Sequence, residues 1–234
     1  MYFSLITPVE DRMREAAHAR NQGPYAEHQW LWRFFPAPEG TPRDFLFRRS
    51  EDARGIRYYV VSAREPTVKE DAWQVHSKPY APVIEAGQRL SFEVRVNPVV
   101  TTERDGKSRR DDVVMDRKKK LLAERGLARW NDWKTPDRPA EHDLVSEVCT
   151  GWLCGEGKDG SSRASRGGFR VDPRALSADA YVQYRDGRKG IQFSSVDLSG
   201  ELEVTDVPRF LGMLSAGLGR GRAFGCGLML VRPA

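Results

Sequence analysis

The sequence predicts an α+β fold of two tandem ferredoxin-like units, residues 1–87 and 88–234. From the N-terminus the chain reads strand, helix, two strands and a further strand. That is the order of a compact ferredoxin-like unit whose second helix is short or lost. Past a Glu85-Ala86-Gly87 linker it again reads strand, helix, strands, helix, strand, with no visible sequence repeat. At 234 residues, 39% hydrophobic and 10% aromatic, the chain has the length and the apolar content for two small cores.

In the first unit, Tyr2 to Val9 reads as a strand, and the charged, alanine-rich Glu10 to Gln22 as a helix turn or a loop. Gly23-Pro24 sets a helix start, proline being suited to the first turn. The helix runs from about Tyr25 to Phe35 with the apolar stripe Leu31, Trp32, Phe34 and Phe35, and stops before Pro36. Arg43 to Arg49 and the β-branched, aromatic Ile56 to Ala63 form a hairpin across a polar turn. Trp73 to Val83 is strand-like, interrupted by Pro79 and Pro82.

In the second unit, Arg89 to Val96 alternates as a strand and closes at Asn97-Pro98. Thr101 to Asp112 is polar and charged, and a helix follows from about Met115 to Arg125. Asp137 to Asp172, partly glycine- and serine-rich, reads as a mobile insertion. Tyr181 to Arg185 and Ile191 to Val196 flank Asp186-Gly187, a hairpin signal. Strand character resumes at Glu201 to Val204, then helical spacing at Phe210, Leu211 and Leu214.

A glycine-rich loop, residues 217–227, joins that helix to the buried strand Leu228 to Val231. Its glycines alternate with residues that include Arg220 and Arg222. Backbone N–H groups at Gly219 and Gly221 beside two arginines would form a cradle for phosphate oxygens; a flexible turn is the plainer reading. It is not a P-loop, since no Gly-Lys-Ser/Thr follows, nor a dinucleotide fingerprint, since the helix precedes the glycines.

Lysine and arginine total 38 against 33 acidic residues, a net charge of +5, which suits a polyanionic partner. The three cysteines, Cys149, Cys154 and Cys226, do not make a disulfide scaffold and point to a reducing cytoplasm. With His142 nearby, Cys149 and Cys154 fall short of the four ligands a structural zinc needs, and neither a metal nor a cofactor is expected. No apolar run approaches a membrane span. Tyr25 and His28, three residues apart, share one face of a helical first turn and can reach one substrate. His28 also lies on the face of Leu31 and Trp32, so a packed histidine is the competing reading.

Four segments, in order across nearly the whole chain, resemble the repeat-processing endoribonucleases of type I-E CRISPR systems, the Cse3/CasE family. They are the N-terminal MYFSL; Tyr25-Ala-Glu-His28-Gln-Trp-Leu31-Trp32-Arg-Phe-Phe35-Pro36 with Arg43-Asp44-Phe45-Leu46-Phe47; Leu90 to Pro98; and Phe224-Gly225-Cys226-Gly227-Leu228. The resemblance implies two RNA-recognition-like domains and metal-independent cleavage of precursor CRISPR RNA at the base of its repeat hairpin. It also implies retention of the guide as a subunit of the surveillance complex. It carries the family's tyrosine and histidine onto Tyr25 and His28 and, more loosely, a basic residue onto Lys189.

On this reading His28 is a general base toward the ribose 2′-OH, a role suited to a group titrating near neutrality. Tyr25 hydrogen-bonds the phosphate or protonates the leaving oxygen, the two roles being exchangeable, and Lys189 stabilises the pentavalent phosphate. The segment Arg104, Lys107, Arg109, Arg110, Lys118, Lys119 and Lys120 grips the stem, because A-form RNA is read through backbone and shape; a solvated face balanced by Glu103, Asp105, Asp111, Asp112 and Asp116 is the alternative. Arg163 and Arg166 are expected to be ordered by RNA. The competing function is a non-catalytic CRISPR RNA-binding scaffold subunit.

Overall fold

The computed structural model describes residues 1–20, 23–53, 55–67, 71–104, 106–187 and 190–234. They divide into two units, Met1–Ile84 with Leu211–Met229, and Glu85–Phe210 with Leu230–Ala234. Each is a sheet covered by helices, and the fold is α+β with two ferredoxin-like units.

The first unit begins with β1 (Tyr2–Pro8), passes through α1 (Met13–Arg20) and α2 (Pro24–Leu31), and continues with β2 (Phe45–Asp52), β3 (Gly55–Ser62) and β4 (Trp73–Pro79). The strands lie in the order β2-β3-β1-β4, each pair antiparallel, which is the ferredoxin-like order. Between β3 and β4 no helix occurs among the described residues. Pro24 opens α2 at its first turn, where its missing N–H costs nothing. The helix tightens into a 3-10 turn at Trp32–Phe34 before Pro36.

The helix adheres to the sheet through Glu27, Trp30, Leu31 and Phe34, all buried and spaced on one helical face. The Trp30 ring lies 4.5 Å from Trp73 and 5.0 Å from Tyr58. The Tyr58 hydroxyl donates to Glu27 Oε1 at 2.6 Å, so the one carboxylate on the inner face of α2 is satisfied, as burial of a charge requires. Alternate strand residues face the helix: Ile6, Phe45, Phe47, Tyr58 and Val60 join its core.

The segment expected with the second domain, the glycine-rich loop, packs in this unit instead. A Cβ at Gly217 would stand 3.0 Å from Leu46, and one at Gly225 3.1 Å from Phe47. Leu46 and Phe47 are neighbours on edge strand β2 and point to opposite faces. The loop therefore wraps around the edge of β2, which also protects that edge from pairing with another chain. Sequence order placed the loop in the second domain; the fit of its glycines against β2 is what draws it into the first.

The second unit runs through β5 (Arg89–Val96), β6 (Val99–Arg104), β7 (Lys107–Asp112), α3 (Val113–Glu124), α4 (Glu141–Cys154), α5 (Arg163–Arg166), β8 (Phe169–Val171), β9 (Ser177–Asp186) and β10 (Ile191–Val204). The division of the chain then falls inside α6 (Val207–Ala216), and β11 (Met229–Pro233) ends it. The sheet order is β11-β5-β10-β8, with β9 also on β10. The long β10 pairs with β9 over its first part and with β8 over its last, so β8 and β9 together fill the position of one ferredoxin strand.

One stretch given no element by its pattern forms strands here, and one expectation fails. The polar stretch Thr101 to Asp112 is a β-hairpin, β6–β7, in register from Val99↔Asp112 to Arg104↔Lys107. Residues 137–172 are not a mobile insertion: they contain α4, whose Leu144, Val145, Cys149, Trp152 and Leu153 are buried, and Phe169, fully buried. That spacing is helical, and it outweighs the glycines and serines that follow it. Asp112 roots the hairpin. Its side chain accepts from Met115 N at 2.8 Å as the cap of α3, from the Tyr181 hydroxyl at 3.0 Å, and from the Ser194 hydroxyl.

Candidate active site

Tyr25 and His28 lie on α2 one helical turn apart. Because Glu27, Trp30 and Leu31 take the inward face, Tyr25 is turned outward, 36% exposed, and His28 sits half-buried at the margin between helix and strand. The Tyr25 hydroxyl accepts from Gln29 Nε2 at 3.1 Å. The His28 ring is 6.3 Å from the ring of Phe45 and 6.4 Å from that of Trp32. Its Nε2 is covered and has no hydrogen-bond partner among the described residues. A core histidine kept for packing would satisfy that nitrogen; this one does not.

Two guanidinium groups lie in the surroundings of His28. Arg43, just ahead of β2, places its guanidinium carbon 5.9 Å from the centre of the Phe45 ring. Arg222 stands in a 3-10 turn, Arg222–Phe224, of the glycine-rich loop, and that turn packs on α2. Its guanidinium donates to Gly217 O at 3.1 Å and to Gly219 O at 3.3 Å. Burial and then the charge of Arg43 hold the His28 imidazole below its ordinary pKa. Burial and then the charge of Arg222 lower that of Arg43. The nearby carboxylates are engaged elsewhere: Asp44 with Arg64 at 2.6 Å, Glu27 with Tyr58 and, at 3.8 Å, Arg49. Among the described residues none pairs with His28, Arg43 or Arg222. A neutral imidazole beside uncompensated cations is arranged to take a proton next to an anion.

Sequence reasoning missed Arg43 as a functional group, although it began a strand there; the strand itself starts at Phe45. The signal that finds it is tertiary: an arginine with no acid partner among the described residues, beside a histidine.

The glycine-rich loop differs from a cradle of N–H groups. Leu218 N donates to Gly227 O at 2.9 Å, and Phe224 N and Cys226 N to Gly221 O at 2.8 and 3.3 Å. Much of its backbone closes on itself, and the group it presents beside α2 is Arg222. Gly219 and Gly221 supply left-handed corners, and Arg220 is exposed.

The remaining candidates lie in the second unit. Arg109 and Arg110 are exposed on β7; as consecutive strand residues they project from opposite faces of the hairpin. Arg104 and Lys107 pair across its turn. On α3, Lys118 is bound to Glu141 and lies 5.3 Å from the Trp130 ring, and Lys120 meets Asp116 at 2.7 Å, whereas Lys119 is exposed. Arg163 donates to Trp152 O at 2.8 Å from a position over the Trp152 ring, and Arg166 to Ser161 Oγ at 3.0 Å. Both are thus ordered by the protein itself. Lys189 lies outside the described residues. No cluster of three or more His, Cys, Asp or Glu side chains able to hold a metal occurs among the described residues, and no helix there is long and apolar enough to cross a membrane.

The chain is 25% identical over 221 residues to the CRISPR system Cascade subunit CasE of Escherichia coli, covering 93% of this chain and 96% of the relative. It is 28% identical over 239 residues to the CRISPR-associated endoribonuclease Cse3 of Thermus thermophilus, covering 93% and 94%. In fold it matches Thermus thermophilus Cse3 bound to an RNA representing a pre-cleavage complex, with a TM-score of 0.62 at 24% identity over 99% of this chain and 98% of the other. The family model described as CRISPR associated protein matches residues 1–233. The chain therefore belongs to the CRISPR-associated protein family, among the Cse3/CasE proteins of type I-E systems.

Proposed function

We propose that this chain is a metal-independent endoribonuclease that cleaves the repeat hairpin of precursor CRISPR RNA. It keeps the mature guide bound and serves as a subunit of the type I-E surveillance complex. The observation that carries the reading is His28: Nε2 without a partner among the described residues, a lowered pKa, and Arg43 as a neighbouring cation. The names of the relatives, an endoribonuclease and a Cascade subunit, support the substrate and the assembly.

In the reaction the ribose O2′ forms a bond to phosphorus and the bond from phosphorus to O5′ breaks. The proton of the 2′-OH passes to His28 Nε2. The departing O5′ takes a proton, for which Tyr25, on the same face of α2, is the donor. The products are a 2′,3′-cyclic phosphate and a 5′-hydroxyl. Nε2 is covered in the free protein, so a side-chain rotation accompanies binding; catalytic hydrogen bonds commonly tighten only with substrate present. Lys189 stabilises the phosphorane charge, on the strength of the family resemblance. The exposed Arg109, Arg110 and Lys119 hold the stem through its phosphates.

The test is incubation of the protein with repeat hairpin RNA in excess chelator. Cleavage by the native chain, slowed about a hundred- to ten-thousandfold in His28→Ala, is expected. Tight binding without any cleavage would assign the chain to the scaffold role.

A further inference from the structure

We infer that Arg43 is a catalytic residue of this site: its guanidinium binds the scissile phosphate opposite Arg222 and acts on the neighbouring base, His28. The inference rests on the endoribonuclease reading and adds to it a residue and a division of labour.

The geometry comes from one aromatic ring. Phe45 is buried, its ring stacked on Phe35 at 4.6 Å between centroids. The same ring has Arg43 at 5.9 Å and His28 at 6.3 Å. One rigid, buried ring thus has a cation and an imidazole on its periphery. The neighbouring Asp44 is held by a bidentate contact with Arg64, at 2.6 and 3.1 Å. That contact anchors the backbone at position 44 and removes the acid best placed to neutralise Arg43.

The energetics favour an anion as the partner of Arg43. Arg43 Nε is covered and has no hydrogen-bond partner among the described residues. Desolvating a charge without a partner is costly, and a second cation, Arg222, adds to the cost. Arg222 itself is held by the Gly217 and Gly219 carbonyls, so the two guanidiniums do not simply swing apart. Such an arrangement opposes folding unless something offsets it, and departures of this kind cluster at functional sites. A phosphate diester with developing negative charge is the chemistry that satisfies both arginines, and donors in place before the reaction need no reorganisation during it.

The same charge acts on the base and favours its neutral, proton-accepting form. Around α2, Asp44 is bound to Arg64, Glu27 to Tyr58 and Arg49, and Glu15 lies 3.8 Å from Arg12, while Arg14 is exposed. Tyr25 and Arg33 are the other charged or titratable groups flanking His28 on its own helix and turn. Arg43 is the group whose charge bears on the imidazole, after burial itself. Removing that charge raises the His28 pKa. The base then becomes protonated at a higher pH, and the acidic limb of the rate profile moves up.

The experiment compares Arg43→Met and Arg43→Lys with the native chain in two measurements. In single-turnover cleavage of the repeat hairpin, Arg43→Met is expected to be slower by about 10²- to 10³-fold, with hairpin affinity within about fivefold because many phosphates share it. Arg43→Lys should recover part of the rate. In NMR titration of the His28 ring in free protein, the midpoint should rise in Arg43→Met and stay near native in Arg43→Lys. Added inorganic phosphate should perturb the His28 signals of the native chain and not those of Arg43→Met. A native cleavage rate in Arg43→Met would overturn the inference. So would a reduced rate with an unmoved midpoint, which marks a structural role. Should Arg43→Met fail to fold, Arg43→Gln takes its place under the same criteria. If the native chain cleaves no repeat RNA, the endoribonuclease reading fails, while the midpoint and phosphate measurements still decide whether Arg43 serves His28 and an anion.

Discussion

Gly225 lies against the ring of Phe47, with its backbone at φ 76°, and an added Cβ would stand 3.1 Å from Cε2, closer than an ordinary van der Waals contact. Here the glycine-rich loop meets the β2 face that carries α2. The loop thereby returns Arg222 to the neighbourhood of His28 within one unit of the fold.

Gly225→Ala is therefore expected to lower stability by about 1–3 kcal/mol, from the left-handed backbone and the crowding against Phe47. It should also slow cleavage by shifting Arg222. Denaturant unfolding checks the first effect and single-turnover cleavage the second. An unchanged midpoint of unfolding would show that the loop tolerates a side chain and does not depend on that fit.

The His28 pKa is lowered, by burial first and by Arg43 second. A base with a depressed pKa stays neutral further into acid, so the acidic limb of kcat/KM should lie below the ordinary histidine value of about 6.5. The sign for stability follows from the same shift. The unfolded chain takes up the proton more readily, so the stability associated with His28 is present at higher pH. It is lost as pH falls through the unfolded pKa toward the folded one. A pH–rate profile of the native chain in chelator measures the limb; a limb at or above 6.5 would contradict the assignment.

Among the basic residues of the second unit, the exposed arginines should matter more than the paired lysines. Replacing Arg109 and Arg110 by Gln should flatten the salt dependence of hairpin binding by roughly 0.7 to 0.9 in log–log slope for each phosphate no longer neutralised. Lys118→Gln and Lys120→Gln remove cations already engaged by Glu141 and Asp116, and should change the slope less. Filter binding over a range of salt concentrations measures all four. Equal effects from arginines and lysines would mean that the ion pairs on α3 open when RNA binds.

Cys149 is fully buried in α4, and burial, with the Asp112 charge second, pushes its thiol up to about 12. Since the thiolate is the reactive form, Cys149 should resist alkylation at pH 8 until the protein unfolds. Mass spectrometry after a short iodoacetamide pulse, native against denatured, reads this directly. Rapid native labelling at Cys149 would show that α4 opens readily from its unit.

The parts of the fold that the sequence revealed are those in which burial imposes a period. β5 alternates Leu90, Phe92, Val94 and Val96 inward, and Gly23-Pro24 announces α2. The β6–β7 hairpin was illegible for the same reason: Thr101, Thr102, Glu103, Arg109 and Arg110 put polar groups on both faces, so no apolar period marks it. What roots it is Asp112 with Tyr181 and Ser194, partners 69 and 82 residues away. α4 carried a readable stripe, but the glycines and serines after Cys154 drew the whole stretch into a loop. In the site, spacing alone put Tyr25 and His28 on one helical face. Arg43 and Arg222 lie 179 positions apart in the chain, and only the path of the loop around β2 brings both to one helix. No local pattern records that.

The account turns on which atom attacks the phosphate, and one substrate isolates it. A repeat hairpin with a single 2′-deoxy nucleotide just upstream of the cut keeps the phosphates and nearly all of the A-form shape that binding uses. It lacks only the oxygen that His28 is held to deprotonate. Assayed in excess chelator beside the all-ribose hairpin, it should bind with native affinity and remain uncut, while the ribose hairpin yields a 2′,3′-cyclic phosphate and a 5′-hydroxyl. Cleavage of the deoxy hairpin at a comparable rate would mean that water or another nucleophile attacks, and the role given to His28 would be wrong.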